Sequence, residues 1–142
     1  MDNCCFNRPF DDQTQLLIRL ETEAILFIQE EIKNGSLELV WSYILEQENE
    51  DNPFERRREA IGLWNPLAKT DVSESEEVIQ LAESFYRRGL KPKDALHIAC
   101  AVVAEANYFI TTDRGILQKT IQQIKIVNPV QFIQLYAEQK EL

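Results

Sequence analysis

The sequence predicts an α/β sandwich built on a parallel sheet, and three observations carry that prediction. Short runs rich in strand formers, at residues 37–41, 108–112 and 124–127, alternate with stretches that carry apolar residues at helical spacing. The helical stretches between them run to ten residues or more, the length a crossover needs to bring a parallel strand back to the same end of a sheet. A run of Ala, Leu, Ile, Cys and Val over residues 95–104 is apolar on nearly all sides, as a central packing helix would be. At 142 residues, 44% of them apolar and 27% charged, the chain has the size and composition of one globular domain.

Taken in order, Leu17, Leu20, Ala24, Phe27, Ile28 and Ile32 draw one apolar stripe along a helix over residues 12–33, which Asn34 and Gly35 stop. The strand 37–41 follows, and Ser42 caps a helix over 43–50. Asn52 and Pro53 form an N-cap and first-turn pair for a helix that carries Phe54, Ile61 and Trp64 inward and ends at Asn65-Pro66. Residues 67–72 supply a short strand. Ser73 or Ser75 then caps a helix whose Val78, Ile79, Ala82, Phe85 and Tyr86 share a face, and Gly89 closes it. The apolar helix runs over 94–105. After the strand 108–112 come a brief helix over 116–122, the strand 124–127, and a last helix opened by Asn128-Pro129.

The formal charge of −9 argues against a general nucleic-acid coat, because phosphate binding needs clustered Lys and Arg to release counterions. It leaves room for a cleft of carboxylates holding hard cations, which invert the sign that a phosphate feels. Cys4, Cys5 and Cys100 are read as small apolar residues, and their number and the absence of an apolar leader in MDNCCFNRPF favour a reducing cytoplasm. No window approaches the ~18 apolar residues of a membrane span.

The carboxylates are the chemistry-bearing residues. Asp113 directly follows the strand YFITT, so it stands either as the cap of the next helix or on the rim where parallel sheets bind ligands. Asp94 opens the apolar helix, where the helix dipole favours its charge. One helix and one strand separate the two, which returns the chain to the same sheet end and suggests a shared cation. Between Ser42 and Asn49, helical phase puts Glu48 inward with Trp41, Ile44 and Leu45, and leaves Glu46 to solvent. Asp2 by itself is a residue near a terminus. His97, the sole histidine, reads as a packed core residue before it reads as a general base. Arg56-Arg57-Arg58, Arg87-Arg88 and Lys91/Lys93 form the basic clusters, and the last four flank the approach to Asp94.

Residues 91–117, KPKDALHIACAVVAEANYFITTDRGIL, resemble the C-terminal signature of PIN domains, in which an Asp-Ala-x-His-x-Ala helix leads into a strand ending Thr-x-Asp. In that light Asp2-Asn3-Cys4 looks like the end of the family's first strand, and Ser42 with Glu48 is similar to its second-strand Ser and helix Glu. The resemblance covers nearly the whole chain and is weakest over residues 53–72. It implies a three-layer α/β/α sandwich with a mostly parallel central sheet, and a metal-dependent ribonuclease of the kind that serves as toxin in toxin-antitoxin modules. Its implied metal site is Asp2, Glu48, Asp94 and Asp113 holding Mg²⁺ or Mn²⁺, with Thr111 or Thr112 orienting Asp113. RNA is the implied substrate and an antitoxin protein a possible partner. Two departures stand out: Arg114-Gly115-Ile116 follows Asp113 where the family often has a further acid, and only Met1 precedes Asp2, so the first strand is missing or truncated. The second reading, from a different class, is a catalytically silent PIN-like interaction module. A haloacid-dehalogenase phosphatase is excluded because Asp2-Asn3-Cys4 is not Asp-x-Asp.

Two further expectations follow. A homodimer is expected because Leu16, Ile18 and Ile25 lie off the core stripe of the first long helix. Codons upstream of Met1 are expected to encode a short apolar strand.

Overall fold

The computed structural model describes residues 1–141. Helices dominate it: α1 (Asn3–Asn7), α2 (Leu16–Lys33), α3 (Tyr43–Glu50), α4 (Glu55–Gly62), α5 (Glu76–Arg87), α6 (Pro92–Val103), α7 (Arg114–Leu117) and α8 (Pro129–Glu141). Four strands of three residues each, β1 (Val40–Ser42), β2 (Thr70–Val72), β3 (Tyr108–Ile110) and β4 (Lys125–Val127), form two separate parallel pairs. Val40 faces Thr70 in the first pair and Ile110 faces Val127 in the second. The fold is therefore mixed α/β with small parallel sheets.

Local chemistry sets the boundaries. Ser42 and Ser75 cap α3 and α5 by accepting the Leu45 and Val78 N–H groups, each at 3.2 Å. Pro92 and Pro129 occupy first-turn positions, where the missing N–H is no loss. Gly35 and Gly89 adopt φ of +84° and +101°, the left-handed turns that let α2 and α5 end. Asn52 turns the chain by accepting the Phe54 N–H, so α4 begins later than Asn52-Pro53 predicts, and Phe54 is exposed. Of the predicted α5 face, Val78, Ala82 and Phe85 are buried while Tyr86 is exposed.

Successive strand residues feed two cores. Phe109 joins Val78, Phe85, Ile98 and Ala99 of α5 and α6. Its neighbour Ile110 joins Phe6, Ile25, Ile28, Trp41 and Phe132. This alternation is the two-residue period of a strand with apolar cover on both sides. Phe85, Ile98, Ile25 and Trp41 are fully buried, and each such side chain contributes about 2–3 kcal/mol through area removed from water.

The first long helix differs from expectation in extent and in phase. It starts at Leu16, and its inward residues are Glu21, Thr22, Ala24, Ile25, Ile28 and Ile32, while Leu17, Leu20 and Phe27 are exposed. The cause lies at the chain's start. Residues 3–7 form a helix in place of a strand end, the chain continues through a 3-10 turn over Arg8–Phe10, and this segment packs on α2. The Arg8 guanidinium reaches Glu21 at 3.3 Å and Asp11 at 3.2 Å, and the Thr22 hydroxyl donates to the Arg8 carbonyl at 3.2 Å. Burial pushes the Glu21 carboxyl above its usual range, and the charges of Arg8 and Arg114 oppose that push. Arg8→Ala should therefore remove about 2 kcal/mol of stability, since it strands Glu21 without its cation. Urea unfolding measures this, and a loss below about 0.5 kcal/mol would mean the pair is a surface contact.

Candidate functional site

The site is assembled where β3 ends. Thr111 follows the strand and is fully buried, and its hydroxyl serves two acids. It donates to Asp2 Oδ2 at 2.5 Å and accepts the backbone N–H of Asp113 at 3.0 Å. Thr111 thus links Asp2 to Asp113, a different task from the predicted orienting of the Asp113 side chain. Asp2 is 4% exposed and extended in backbone, and its N–H donates to the Ile110 carbonyl at 3.2 Å. Its carboxylate then caps α1 by accepting the Cys5 N–H at 3.2 Å.

Asp113 caps α7, accepting from Gly115 N at 2.8 Å and Ile116 N at 3.3 Å. The cap reading holds, and because Oδ1 alone accepts both bonds, Oδ2 is left out of the cap. Gly115 keeps this arrangement open: a Cβ there would stand 3.1 Å from Asp113 Oδ1. Gly115→Ala should force the carboxylate aside and cost about 1 kcal/mol, the usual value of a lost cap, as read by thermal melting.

Asp94 sits half-buried in the first turn of α6, two residues after Pro92. On the next turn His97 is 7% exposed, and its Nε2 lies 2.8 Å from Glu48 Oε1. His97 is therefore the packed, hydrogen-bonded residue that the sequence suggests, and its partner is the predicted Glu48. Glu46 departs from expectation. It is drawn to the indole of fully buried Trp41, which donates to Glu46 Oε2 at 2.8 Å. A buried Trp N–H needs an acceptor, and that need outweighs the solvation of an acid one turn away.

Electrostatics binds these groups into one neighbourhood. Burial raises the Asp94 carboxyl, the charges of Asp113 and Asp2 raise it further, and His97 and Lys91 pull it down. Burial likewise raises Asp2, against the Thr111 hydroxyl, His97, the terminal amino group and the Cys5 N–H. Cys4 is exposed, unlike buried Cys5 and Cys100, which corrects the reading of all three as core. Desolvation of its thiol, followed by the charges of Asp2, Asp113 and Glu48, pushes it up to about 12.

Asp94 thus lies within electrostatic reach of Asp2 and Asp113, and Cys4 feels Asp2, Asp113 and Glu48. The four predicted acids do not close on a point: among the described residues, no three His, Cys, Asp or Glu side chains are grouped so as to hold a metal ion. The donor chemistry suits a hard divalent cation, since all four acids offer oxygen alone. Glu48 would have to leave His97 to join the others.

Of the basic clusters, Arg57 is committed to structure, bonding Asp11 at 3.1 Å and the Phe10 carbonyl at 2.8 Å with its guanidinium over Phe54. Arg87, Arg88, Lys91 and Lys93 are exposed around the start of α6. None of the described helices is long and apolar enough to cross a membrane. In comparisons with known proteins, no family model, no curated protein and no solved structure matches this chain.

Proposed function

We propose that this protein is a PIN-type, divalent-metal-dependent ribonuclease. The observation that carries the reading is the linking of Asp2 and Asp113 through Thr111 at the end of β3, with Asp94 near enough to feel both charges and Glu48 bonded to His97 on the adjoining turn of α6. The charges of Asp2 and Asp113, which come from distant parts of the chain, add to burial in raising the proton affinity of Asp94, an arrangement that favours a cation and that capping alone does not require. The same reading gives the strands helices on both faces, as in a three-layer sandwich, because Phe109 and Ile110 point into opposite cores.

In this reading Asp2, Asp94, Asp113 and Glu48 would hold Mg²⁺ or Mn²⁺, which supplies an activated water and charge stabilisation for phosphodiester cleavage. The chain's own groups do the rest. Thr111 fixes the Asp2 carboxylate and the Gly115 and Ile116 N–H groups fix Asp113, while Glu48 rests on His97 until it joins them. In this reading exposed Lys91, Lys93, Arg87 and Arg88 would meet RNA phosphates on the approach to Asp94. The open spacing of the acids favours the second reading, a silent PIN-like interaction module. Incubation of fluorescent single-stranded RNA with the protein in millimolar Mn²⁺ separates the two. Cleavage abolished by Asp113→Asn supports the nuclease; intact RNA under all metals supports the module.

An antitoxin protein is the partner this reading implies. The homodimer also belongs here, on altered grounds. Ile25 is buried in the core and offers no surface, whereas Leu16, Leu17, Leu20 and Phe27 expose an apolar face of α2. Light scattering at micromolar concentration decides it, and the mass of a single chain would end the dimer proposal.

A further inference from the structure

The two parallel pairs face each other across an open cleft. β1 turns one edge to β2, and β3 turns one edge to β4. In a parallel ladder alternate residues bond to alternate sides. Lys69 N–H donates to the Leu39 carbonyl at 2.9 Å and Thr111 N–H to the Val127 carbonyl at 3.0 Å. The peptide groups of Val40 on one side, and of Tyr108 and Ile110 on the other, therefore point the opposite way. There the structure has a cleft of about 400 Å³, lined by Val40, Tyr108 and Ile110 and also by Met1.

The walls suit a strand. Ile28 and Ile32 of α2 and Phe132 of α8 line the cleft, and so do Cys100, Ala101 and Ala104 from the α6 side. Two aliphatic and aromatic walls with backbone edges between them bury both faces of whatever lies inside, the setting of a central parallel strand. The small side chains of α6 leave room there for large ones.

The first rung already exists. Asp2 N–H donates to the Ile110 carbonyl at 3.2 Å, a bond of ladder type on the cleft-facing edge of β3. Asp2 is extended, and Met1 before it lies in the cleft, while the chain beyond it turns away into α1. Polypeptide leading into Met1 would run beside Phe109 and Tyr108 in the direction of β3.

We propose that the cleft is a slot for one extended strand, parallel to β3 and covalently continuous with Met1, which would join the two pairs into a single five-stranded sheet. Its occupant is apolar on both faces, with β-branched or aromatic side chains toward Cys100, Ala101 and Ala104. The proposal is independent of the nuclease reading, since it rests on the edges and walls of the cleft and not on the acids.

The test compares the full chain with two extended forms. One carries about six Val- and Ile-rich residues before Met1, the length of an ordinary strand; the other carries the same number of Gly and Ser residues. Hydrogen exchange at the Val40, Tyr108 and Ile110 amides should slow by about tenfold or more in the apolar form alone, with a rise in melting temperature. Ala101→Leu, which fills the slot from α6, should erase that gain in the extended form. Unchanged exchange at those three amides in the apolar form overturns the proposal. So does protection of the Gly/Ser form by a free apolar peptide when the fused segment gives none, because the slot would then serve a partner's strand.

Discussion

Asp94→Asn should abolish RNA cleavage, by roughly 100-fold or more, and should do so without weakening the fold. The size follows from the proposed function, in which Asp94 would be one carboxylate of a metal site whose charge supplies several kcal/mol of transition-state stabilisation. The second half follows from the site's electrostatics. Burial and the charges of Asp113 and Asp2 already act against ionised Asp94, so the neutral amide relieves strain and the metal-free variant should melt at or above the wild type. Millimolar Mn²⁺ should raise the wild-type melting temperature by about 5–10 °C, the effect of a ligand near 100-fold above its Kd on a domain this size. The same Mn²⁺ should leave Asp94→Asn nearly unmoved. If the wild type shows no shift, the acids do not form a metal site, whatever the cleavage assay reports.

Thr111→Val should be the most damaging single change near the site, lowering stability by about 3 kcal/mol. Valine keeps the shape of threonine but removes the hydroxyl that donates to Asp2 and accepts from the Asp113 N–H. Asp2 is buried, so its carboxylate would lose its shortest hydrogen bond with no water to replace it. Combining Thr111→Val with Asp2→Asn should cost markedly less than the sum of the two, with a coupling above about 1 kcal/mol. Additive losses in urea unfolding would show that the two groups do not depend on each other.

The parts of the molecule that could be read in the sequence are those decided by neighbours in the chain. Ser42, Ser75 and Asp113 as caps, Gly35 and Gly89 as stops, and proline at the start of α6 and α8 are all local choices of backbone geometry. The phase of α2 was not legible, because Glu21 and Thr22 face inward only to meet Arg8, a contact across the chain. Glu46 was misread for the same kind of reason: its partner Trp41 is close in sequence, but the indole's need for an acceptor is set by how deeply the core buries it. At the candidate site, the placement of Asp113 after β3 and of Glu48 on the inward side of α3 followed from strand order and helical phase. The role of Thr111 as a bridge between Asp2 and Asp113 needed three dimensions. So did the difference between Cys4 and Cys5, since nothing in the pair distinguishes the buried residue from the exposed one.

The pairing of His97 with Glu48 also makes the protein its own spectroscopic probe. With one histidine in the chain, an ¹⁵N-labelled sample yields a single imidazole spin system, free of overlap and needing no assignment. Its Nε2 is held 2.8 Å from the carboxylate that must swing away if Glu48 is to join Asp2, Asp94 and Asp113. Titration with diamagnetic Mg²⁺ would then report the movement of Glu48 as a displacement of the Nε2 resonance, separately from any cleavage of RNA.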